Sequence, residues 1–571
     1  MEVPRQPPYR LYAASQICLL FHHFQSFTTE LRHKAARCAK PSRVKRPPPG
    51  RATRKRGSRS AQGGTNTGQT LDLLHRFESR NVTFIEADGS WPIVWERAKG
   101  VHVWDADGKR YVDLTAAFGV AAAGHGNRAV IMAGQRQMAR LLHAMGDVHP
   151  HRLKAELARE LSRITYERWT AGSSTGKTIF CNSGFEAVEA ALKTAALATG
   201  RAGVIAVTGG YHGLGYGALN VTHRDYFRAA FRSQLAQFGH FVQFPVAAGH
   251  SASPNPTSPV RSIKSGRGLP QSKTLARGST APRTGEAFRV RQPSAALVIT
   301  AVESQIREVC RSRAIGAILV EPVQGRGGIR IPPAGFLPLL RKLCDELKIV
   351  LVLDEIFTGF GRTGQWFACE HTRVVPDLIC LGKALTGGFP LSACVGNAEL
   401  MDRAWPASTG EAIHTSTFLG HPVGCAMALA QIEEISRLNL VARSAELGDQ
   451  LLRFLRESAY PANLMCEPRG LGLMAGLEVT LPDGSPATNQ VMRAIKLMLR
   501  EGFILLPEGE HSNVISFTPP LTISQKQLFD CVKTLERVLQ QVEPESPGPR
   551  LSRAAARSRQ REAASEGDAP L

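Results

Sequence analysis

Short apolar segments alternate with segments of helical periodicity along the middle of this 571-residue chain, and this alternation restricts the fold more than any other feature. The apolar segments of strand length are residues 178–182, 203–208, 317–321, 349–354 and 378–381. Helical spacing fills residues 185–199 and 333–347. Strands that are apolar along their whole length are buried on both faces. The chain is therefore predicted to be an α/β protein, with a mostly parallel sheet covered by helices.

The same pattern divides the chain into parts. Residues 101–114 predict a β-hairpin that turns at Asp107 and Gly108. We predict a large domain over residues 136–431 and a smaller α+β domain over residues 432–543. The N-terminal segment 71–135 is expected to contribute to the smaller domain.

The formal net charge of +22 is concentrated outside these domains. Residues 1–70 carry +12, residues 247–297 carry +7 and residues 544–571 carry +1, which accounts for 20 of the 22 charges. These stretches lack a regular apolar period, so they are predicted to be a disordered basic extension, a disordered surface insertion and a disordered tail. Because they also lack interleaved aromatic residues, specific nucleic-acid binding is not expected.

The eleven cysteines are scattered, without a Cys-x-x-Cys pair or a cluster at zinc-binding spacing. This pattern is typical of reduced thiols and predicts a cytoplasmic protein without a metal site. No apolar run approaches the roughly 20 residues that cross a membrane, so no membrane partner is expected. The alternative location is an organelle, because residues 1–70 are rich in Arg and poor in acidic residues, as transit peptides are.

Polar residues stand where four of the predicted strands end. They are Ser183 with Gly184, Glu321, Asp354, and Gly382 with Lys383. The carboxyl ends of parallel strands share one edge of a sheet, and ligands bind at that edge in such folds. We therefore expect these residues to meet at one site.

This set of residues matches the needs of pyridoxal-5′-phosphate (PLP) chemistry. Lys383 supplies the amine that binds the cofactor as a Schiff base, and Asp354 supplies the carboxylate that keeps the pyridine nitrogen protonated. The amides of Gly184 and Phe185, at a helix N-terminus, are suited to the phosphate. Taken singly, a lysine after a strand is usually solvated and Ser-Gly before a helix is an ordinary cap, so the prediction depends on the combination.

Six motifs in this order make the chain resemble the class-III PLP-dependent aminotransferases, the family of the ornithine, acetylornithine and 4-aminobutyrate aminotransferases. The motifs begin at Cys181 (CNSGFEA), Gly210 (GYHG), Glu321 (EPVQG), Leu351 (LVLDEIFTGFGRTG), Pro376 (PDLICLGKALTGG) and His414 (HTSTFLGHP). The resemblance covers residues 72–541 apart from the insertion. It implies PLP-dependent transferase fold type I and a homodimer with shared active sites. It also implies ping-pong transfer of an amino group from an amino acid or ω-amine donor to a 2-oxo acid.

The resemblance assigns roles to residues by their place in these motifs. Lys383 and Asp354 resemble the cofactor-binding lysine and the partner of the pyridine nitrogen. Tyr211 matches the aromatic residue that stacks on the cofactor ring, and Thr417 matches a threonine that reaches the phosphate from the neighbouring subunit. Cofactor contacts are likewise implied for Ser183, Gly184, Phe185, His212 and Glu321.

The substrate end of the site departs from the family pattern. Many relatives bind the substrate carboxylate with an arginine at the position of Ser516, and pair that arginine with a glutamate at the position of Arg326. Two interpretations stay open: the substrate has no carboxylate there, or Arg326 binds it from the other side and Ser516 makes room. Phe357 stands where several relatives have a glutamine that touches the cofactor, so that contact is not expected.

Two other interpretations concern the reaction. Residues 171–178 fit a loose form of the nucleotide-binding phosphate loop, but such a loop follows a strand and opens a helix, whereas here a predicted helix precedes it and a strand follows. An aminomutase, racemase or decarboxylase would use the same lysine and aspartate, so the scaffold alone does not decide the reaction.

Overall fold

The computed structural model describes residues 65–86, 88–246 and 294–542. Most of the predicted basic extension, insertion and tail lies outside the described residues. The described part contains one central sheet of seven strands and two smaller sheets of four strands each.

The central sheet is mostly parallel. From one edge to the other its strands are Gly176–Cys181, Ser392–Asn397, Leu378–Leu381, Val350–Asp354, Ile315–Val320, Gly203–Val207 and Gly239–Val242. Ser392–Asn397 is antiparallel to both neighbours, and every pair from Leu378–Leu381 to the far edge is parallel. Six strands therefore point the same way and end at one edge of the sheet.

Successive residues of these strands are buried on opposite faces. Ile318 and Val320 belong to one buried apolar cluster, whereas Ala317 and Leu319 of the same strand belong to another. Neighbouring side chains of a strand alternate between the faces of a sheet, so both faces must be covered. Burial of a Leu or Ile side chain contributes about 1.5–3 kcal/mol, which explains why these strands are apolar throughout. The predicted α/β class is confirmed.

Helices of very different length surround the three sheets. They are Asn66–Phe77, Ala116–Gly119, Arg128–Arg140, Arg152–Ser162, Gly184–Thr199, Tyr216–Val221, Asp225–Arg228, Ala295–Ser312, Phe336–Leu347, Ala398–Ala404, Pro422–Arg437, Leu440–Glu457, Thr488–Arg500 and Gln525–Gln540. The predicted helix 185–199 is confirmed within one residue. The predicted helix 333–347 begins later, at Phe336, because Pro333 and Gly335 form a turn in which the carbonyl of Pro333 accepts from the amide of Phe336.

The two smaller sheets are built largely from the ends of the described chain. One contains Trp95–Lys99, His102–Asp105, Arg110–Asp113 and Phe503–Ile504, and the other contains Met465–Leu471, Met474–Thr480, Val514–Phe517 and Leu506–Glu508. The predicted hairpin is present as the antiparallel pair His102–Asp105 and Arg110–Asp113. Because Phe503–Ile504 pairs with Arg110–Asp113, N-terminal and C-terminal segments share a sheet.

Two helices begin inside stretches that were expected to be disordered, and both expectations were wrong at these boundaries. Asn66–Phe77 begins within residues 1–70, where the hydroxyl of Thr65 accepts a hydrogen bond of 3.1 Å from the amide of Gly68. Ala295–Ser312 begins within residues 247–297, where the hydroxyl of Ser294 accepts from the amide of Leu297 at 3.4 Å. Ser and Thr are favoured helix caps, so these polar residues start a helix although they also belong to polar tracts.

Residues 170–175 connect a helical segment that ends at residue 169 to the strand Gly176–Cys181. A nucleotide-binding phosphate loop requires the opposite order, with the strand first and the helix second. The structure therefore excludes the phosphate-loop interpretation of this segment.

A buried glutamate next to Asp354 holds the following segment in place. The carboxylate of Glu355 accepts hydrogen bonds from the amides of Ala368 (2.9 Å) and Cys369 (2.8 Å) and from the hydroxyl of Thr358. Burial raises the pKa of Glu355 to about 7, and the three hydrogen bonds oppose that rise. The strand end that carries Asp354 is thus tied to residues 358–369.

We expect Glu355→Ala to destabilise the protein, because two buried amides lose their acceptor. Each buried donor left without a partner costs about 1–3 kcal/mol of unfolding free energy. The measurement is the free energy of unfolding from denaturant titration, with Glu433→Ala, at an exposed position on the helix Pro422–Arg437, as the control. Equal small losses in the two variants would show that Glu355 does not anchor this segment.

Candidate active site

A cavity of about 430 Å³ opens at the edge where the parallel strands end. Eight of the eleven predicted site residues line it, and they come from five separate motifs of the sequence. They are Gly184, Phe185, Tyr211, His212, Glu321, Arg326, Asp354 and Lys383. The structure thus brings the residues at these strand ends together around one cavity.

Lys383 lies two residues beyond the strand Leu378–Leu381, with a backbone φ of +36°. A positive φ is uncommon for a residue with a side chain and is typical of functional sites that the surrounding structure holds in place. Burial lowers the pKa of the Lys383 amine, and the negative charges of Asp354 and Glu321 oppose that change. A lowered pKa increases the fraction of neutral amine, which is the form that acts as a nucleophile or base.

Asp354 ends the neighbouring strand and forms a buried pair with His212. The Oδ2 atom of Asp354 lies 2.8 Å from Nδ1 of His212, and its Oδ1 atom accepts from the amide of Ile356 at 3.1 Å. Only 4% of Asp354 and 2% of His212 is exposed. The amide of His212 donates to the hydroxyl of Thr222 at 3.0 Å, which fixes the backbone of the histidine. The carboxylate is thus held in a defined orientation at the cavity wall.

The helix Gly184–Thr199 begins at the cavity. The amides of Asn182 and Ser183 donate to the carboxylate of Glu186 at 2.7 and 2.8 Å, so one side chain fixes the turn before the helix. The first amides of a helix have no carbonyl partner within the helix, and the helix dipole favours an anion there. Gly184 and Phe185 therefore present N–H groups suited to a phosphate or a carboxylate.

Glu321 connects two of the loops that line the cavity. Its carboxylate accepts from the amide of Tyr211 through Oε1 and from the amide of Gly325 through Oε2, both at 3.0 Å. Burial raises the pKa of Glu321 to about 7, and the nearby His212 opposes that rise. Glu321 thus fixes the position of Tyr211.

Phe357 occupies the cavity wall beside the lysine. Its ring centroid lies 4.4 Å from Nζ of Lys383. A Cβ atom at Gly119 or Gly325 would lie 2.5 or 2.4 Å from this ring, so the two positions leave no room for a side chain. The ring is therefore enclosed on two sides, and the hydrogen bond that a glutamine could make at this place is absent.

Arg326 stands at the open side of the cavity. Its guanidinium carbon lies 5.7 Å from the centroid of the Tyr211 ring, and 37% of its side chain is exposed. Its Nε atom lies 3.7 Å from Oε2 of Glu508, a buried residue on the strand Leu506–Glu508. Sequence reasoning missed Glu508, although this strand pairs with Val514–Phe517, the segment singled out for Ser516.

Three of the predicted site residues do not line the cavity. Ser183 precedes the helix and accepts a 2.6 Å hydrogen bond from the hydroxyl of Ser392 through its carbonyl. Ser516 is buried, and its hydroxyl donates to the carbonyl of Leu506 at 3.1 Å. Thr417 is exposed, so its predicted role in a neighbouring subunit stays a prediction. Among the described residues, no cluster of His, Cys, Asp or Glu side chains could hold a metal ion.

The chain matches the family model of the class-III aminotransferases over residues 84–265 and 269–539. It is 34% identical over 439 residues to the 5-aminovalerate aminotransferase of Pseudomonas aeruginosa, a match that covers 76% of this chain and 91% of that relative. It is 32% identical to the acetylornithine aminotransferase of Methanosarcina mazei, over 79% of this chain and 92% of that one.

Solved structures agree with this relationship. An amine transaminase from an uncultivated Pseudomonas species, determined in its PLP-bound form, is 27% identical and has a TM-score of 0.68, with 82% of this chain and 99% of that chain covered. The chain therefore belongs to the class-III aminotransferase family and is a PLP-dependent aminotransferase of fold type I.

The residues around the cavity fit PLP. They combine an amine with a lowered pKa, a buried carboxylate and the N-terminus of a sixteen-residue helix, all around one cavity of about 430 Å³. These groups correspond to the three needs of the cofactor, namely a covalent link, a counterion for the ring nitrogen and donors for the phosphate.

We expect Asp354→Asn to lower the turnover of the PLP-loaded enzyme about a hundredfold or more, because an amide provides no negative charge beside the ring nitrogen. The measurements are turnover and the visible absorbance of the bound cofactor. Asp402→Asn serves as the control, since the side chain of Asp402 is 63% exposed and pairs with the exposed Lys177. Full turnover in Asp354→Asn would rule out a charged partner at this position.

Proposed function

We propose that Lys383 is the residue that binds PLP and moves the proton during amino transfer. The bound cofactor stabilises negative charge that develops at the substrate Cα. Lys383 is the lysine that lines the cavity, and its lowered pKa makes the neutral amine available. With PLP bound, the neutral Nζ atom of Lys383 would be the base that takes the proton from the substrate Cα.

Asp354 is proposed to pair with the ring nitrogen of the cofactor, and His212 to position Asp354. The hydrogen bond of 2.8 Å between Asp354 and His212 leaves the carboxylate little freedom to turn away. A buried carboxylate with a fixed orientation stabilises an adjacent cation without reorganisation, which favours a protonated ring nitrogen.

The amides of Gly184 and Phe185 are proposed to bind the phosphate, together with Ser183, and Thr417 is proposed to reach it from a second subunit. A homodimer is supported by an exposed apolar surface next to Thr417. This surface contains Leu142, Met145 and Val148 on one segment and Phe418 on another, and each of them is more than 50% exposed. The rings of His143 and Phe418, 5.3 Å apart, connect the two segments. Exposed apolar patches of this kind mark association surfaces.

Arg326 is proposed to bind the carboxylate of the acceptor. It lines the cavity, is partly exposed and lies on the same side as Tyr211. Ser516 is buried and its hydroxyl donates to a backbone carbonyl, so it is not free to bind a substrate carboxylate. The guanidinium of Arg326 is therefore proposed as the partner of that carboxylate. A guanidinium binds a carboxylate through two parallel hydrogen bonds, which a serine cannot replace.

Amino acids or ω-amines are proposed as donors and 2-oxo acids as acceptors, in line with the names of the aminotransferases that the chain resembles. A cytoplasmic location is proposed because the nine cysteines of the described residues are all free, as is typical of a reducing compartment. No helix of the described residues is long and apolar enough to span a membrane.

Lys383→Ala is expected to abolish turnover and to remove the visible absorbance band of lysine-bound PLP from the purified protein. The alanine side chain has no amine, so it cannot form the covalent link to PLP and cannot accept the proton. Lys193→Ala, on the helix that begins at the cavity, is the matched control and should keep both properties. Retention of the band in Lys383→Ala would identify another lysine as the cofactor ligand.

Arg326→Ala is expected to raise the KM for a carboxylate acceptor such as pyruvate by about two orders of magnitude, because the carboxylate loses its charged partner. Reaction with simple amines that have no carboxylate should change little. Arg232→Ala controls for the loss of one positive charge at a surface position, since Arg232 is 60% exposed and pairs with Asp225. Equal effects on acceptors and amines would contradict the assigned role and favour a substrate without a carboxylate at this position.

A further inference from the structure

Glu508 is a charged residue next to the cavity that the proposed mechanism does not use. Only 6% of its side chain is exposed, and it lies on the strand Leu506–Glu508 of the C-terminal sheet. Burial raises the pKa of Glu508, and the charges of Arg326, Arg224 and Lys383 oppose that rise. Glu508 does not line the cavity itself, but its neighbour Arg326 does, so the carboxylate stands one side chain away from the groups around Lys383.

The carboxylate of Glu508 has no hydrogen-bond donor among the described residues. Its nearest cation is Nε of Arg326, and the separation of 3.7 Å is too long for a hydrogen bond. Buried carboxylates normally accept several hydrogen bonds, and each group left without them is unfavourable. By comparison, Glu355 and Glu321 each accept at least two from the chain. Glu508 therefore has accepting capacity that the protein does not fill.

The guanidinium of Arg326 does not satisfy the carboxylate of Glu508 either. Its backbone carbonyl accepts from Arg224 at 3.0 Å, which fixes the start of the side chain, while the guanidinium extends toward the ring of Tyr211. Two opposite charges thus stand side by side, with Arg326 lining the cavity and Glu508 buried 3.7 Å from it. Arg326 favours an anionic substrate group, and Glu508 favours a cationic one.

We propose that Glu508 is a specificity residue that binds a second ammonium group of the amino donor, so that the enzyme prefers donors with two amines, such as terminal diamines or diamino acids. This inference rests on the proposed function, in which the reacting amine is at Lys383 and Arg326 binds acceptor carboxylates.

A ping-pong enzyme binds donor and acceptor in the same cavity, one after the other. A donor with a distal ammonium and an acceptor with a carboxylate need opposite charges at the same end. The pair of Glu508 and Arg326 supplies both, since each side chain can release the other when a substrate group of the matching charge arrives. Without a substrate, the two charges partly neutralise each other.

The test compares terminal diamines of increasing length with n-alkylamines of the same length, in the PLP-loaded wild type and in Glu508→Gln. Glutamine keeps the size of the side chain and removes its charge. The rate at which each amine bleaches the visible band of the bound cofactor gives kcat/KM for the first half of the reaction, and its concentration dependence gives KM and kcat separately. Glu510→Gln, two residues along and exposed, is the matched control.

The wild type is expected to prefer at least one diamine over its matched monoamine by about 30-fold or more, with most of the difference in KM, as for a buried charge pair. In Glu508→Gln this preference should disappear because kcat/KM falls for the diamine and stays the same for the monoamine. Glu510→Gln should keep the preference. The KM for pyruvate in Glu508→Gln should stay equal or fall, since Arg326 no longer has a competing anion. A thermal melt confirms that the variant is folded.

Three results would overturn the proposal: a wild type without a preference for any diamine, a preference that survives in Glu508→Gln, or an equal loss for monoamines and diamines, which would make Glu508 a structural residue. The proposed function fails in a different way. If neither class of amine bleached the cofactor band of the wild type, the roles given to Lys383 and to amine donors would be contradicted, irrespective of Glu508.

Discussion

The site depends on the register between two parallel strands of the central sheet. Asp354, the last residue of Val350–Asp354, stands opposite Cys380 of Leu378–Leu381, so that Lys383 follows only three residues beyond that position. The amide of Glu355 donates to the carbonyl of Cys380 at 3.0 Å and continues the pairing past the strand end. A shift of one residue would turn every side chain of a strand to the other face. Such a shift would break the hydrogen bond between Glu355 and Cys380 and the buried pair of Asp354 and His212, and in the observed register the carboxylate and the lysine reach one cavity.

Around this pair, each further part of the site is held by hydrogen bonds outside the cavity. Glu186 fixes the turn before the helix that presents Gly184 and Phe185, and Glu321 fixes Tyr211. Such supporting contacts matter because an active site that stabilises charge must be organised before the reaction begins. The buried carboxylates of this protein therefore act mainly as positioning groups. Glu508 differs, since nothing in the described chain donates to it.

Much of this arrangement could be predicted from the sequence, for identifiable physical reasons. Apolar strands with polar residues at their ends indicate a parallel sheet with a site at one edge, and local motifs place Lys383 and Asp354 in it. The antiparallel strand Ser392–Asn397 was not predicted, because strand direction depends on contacts between distant segments. The position of Glu508 beside Arg326 could not be predicted either, since a small sheet brings the two segments together only in the folded chain. The helix starts at Thr65 and Ser294 were hidden in tracts whose overall composition suggested disorder.

The role proposed for Lys383 requires that the cofactor is joined to its amine. The most direct measurement is reduction of the PLP-loaded protein with borohydride, which converts the link between lysine and cofactor into a stable bond, followed by protease digestion and mass spectrometry of the peptides. We expect the peptide containing Lys383 to carry the mass of the reduced cofactor and other lysine peptides to remain unmodified. Modification of a different lysine, with the Lys383 peptide unchanged, would show that Lys383 is not the residue that binds the cofactor.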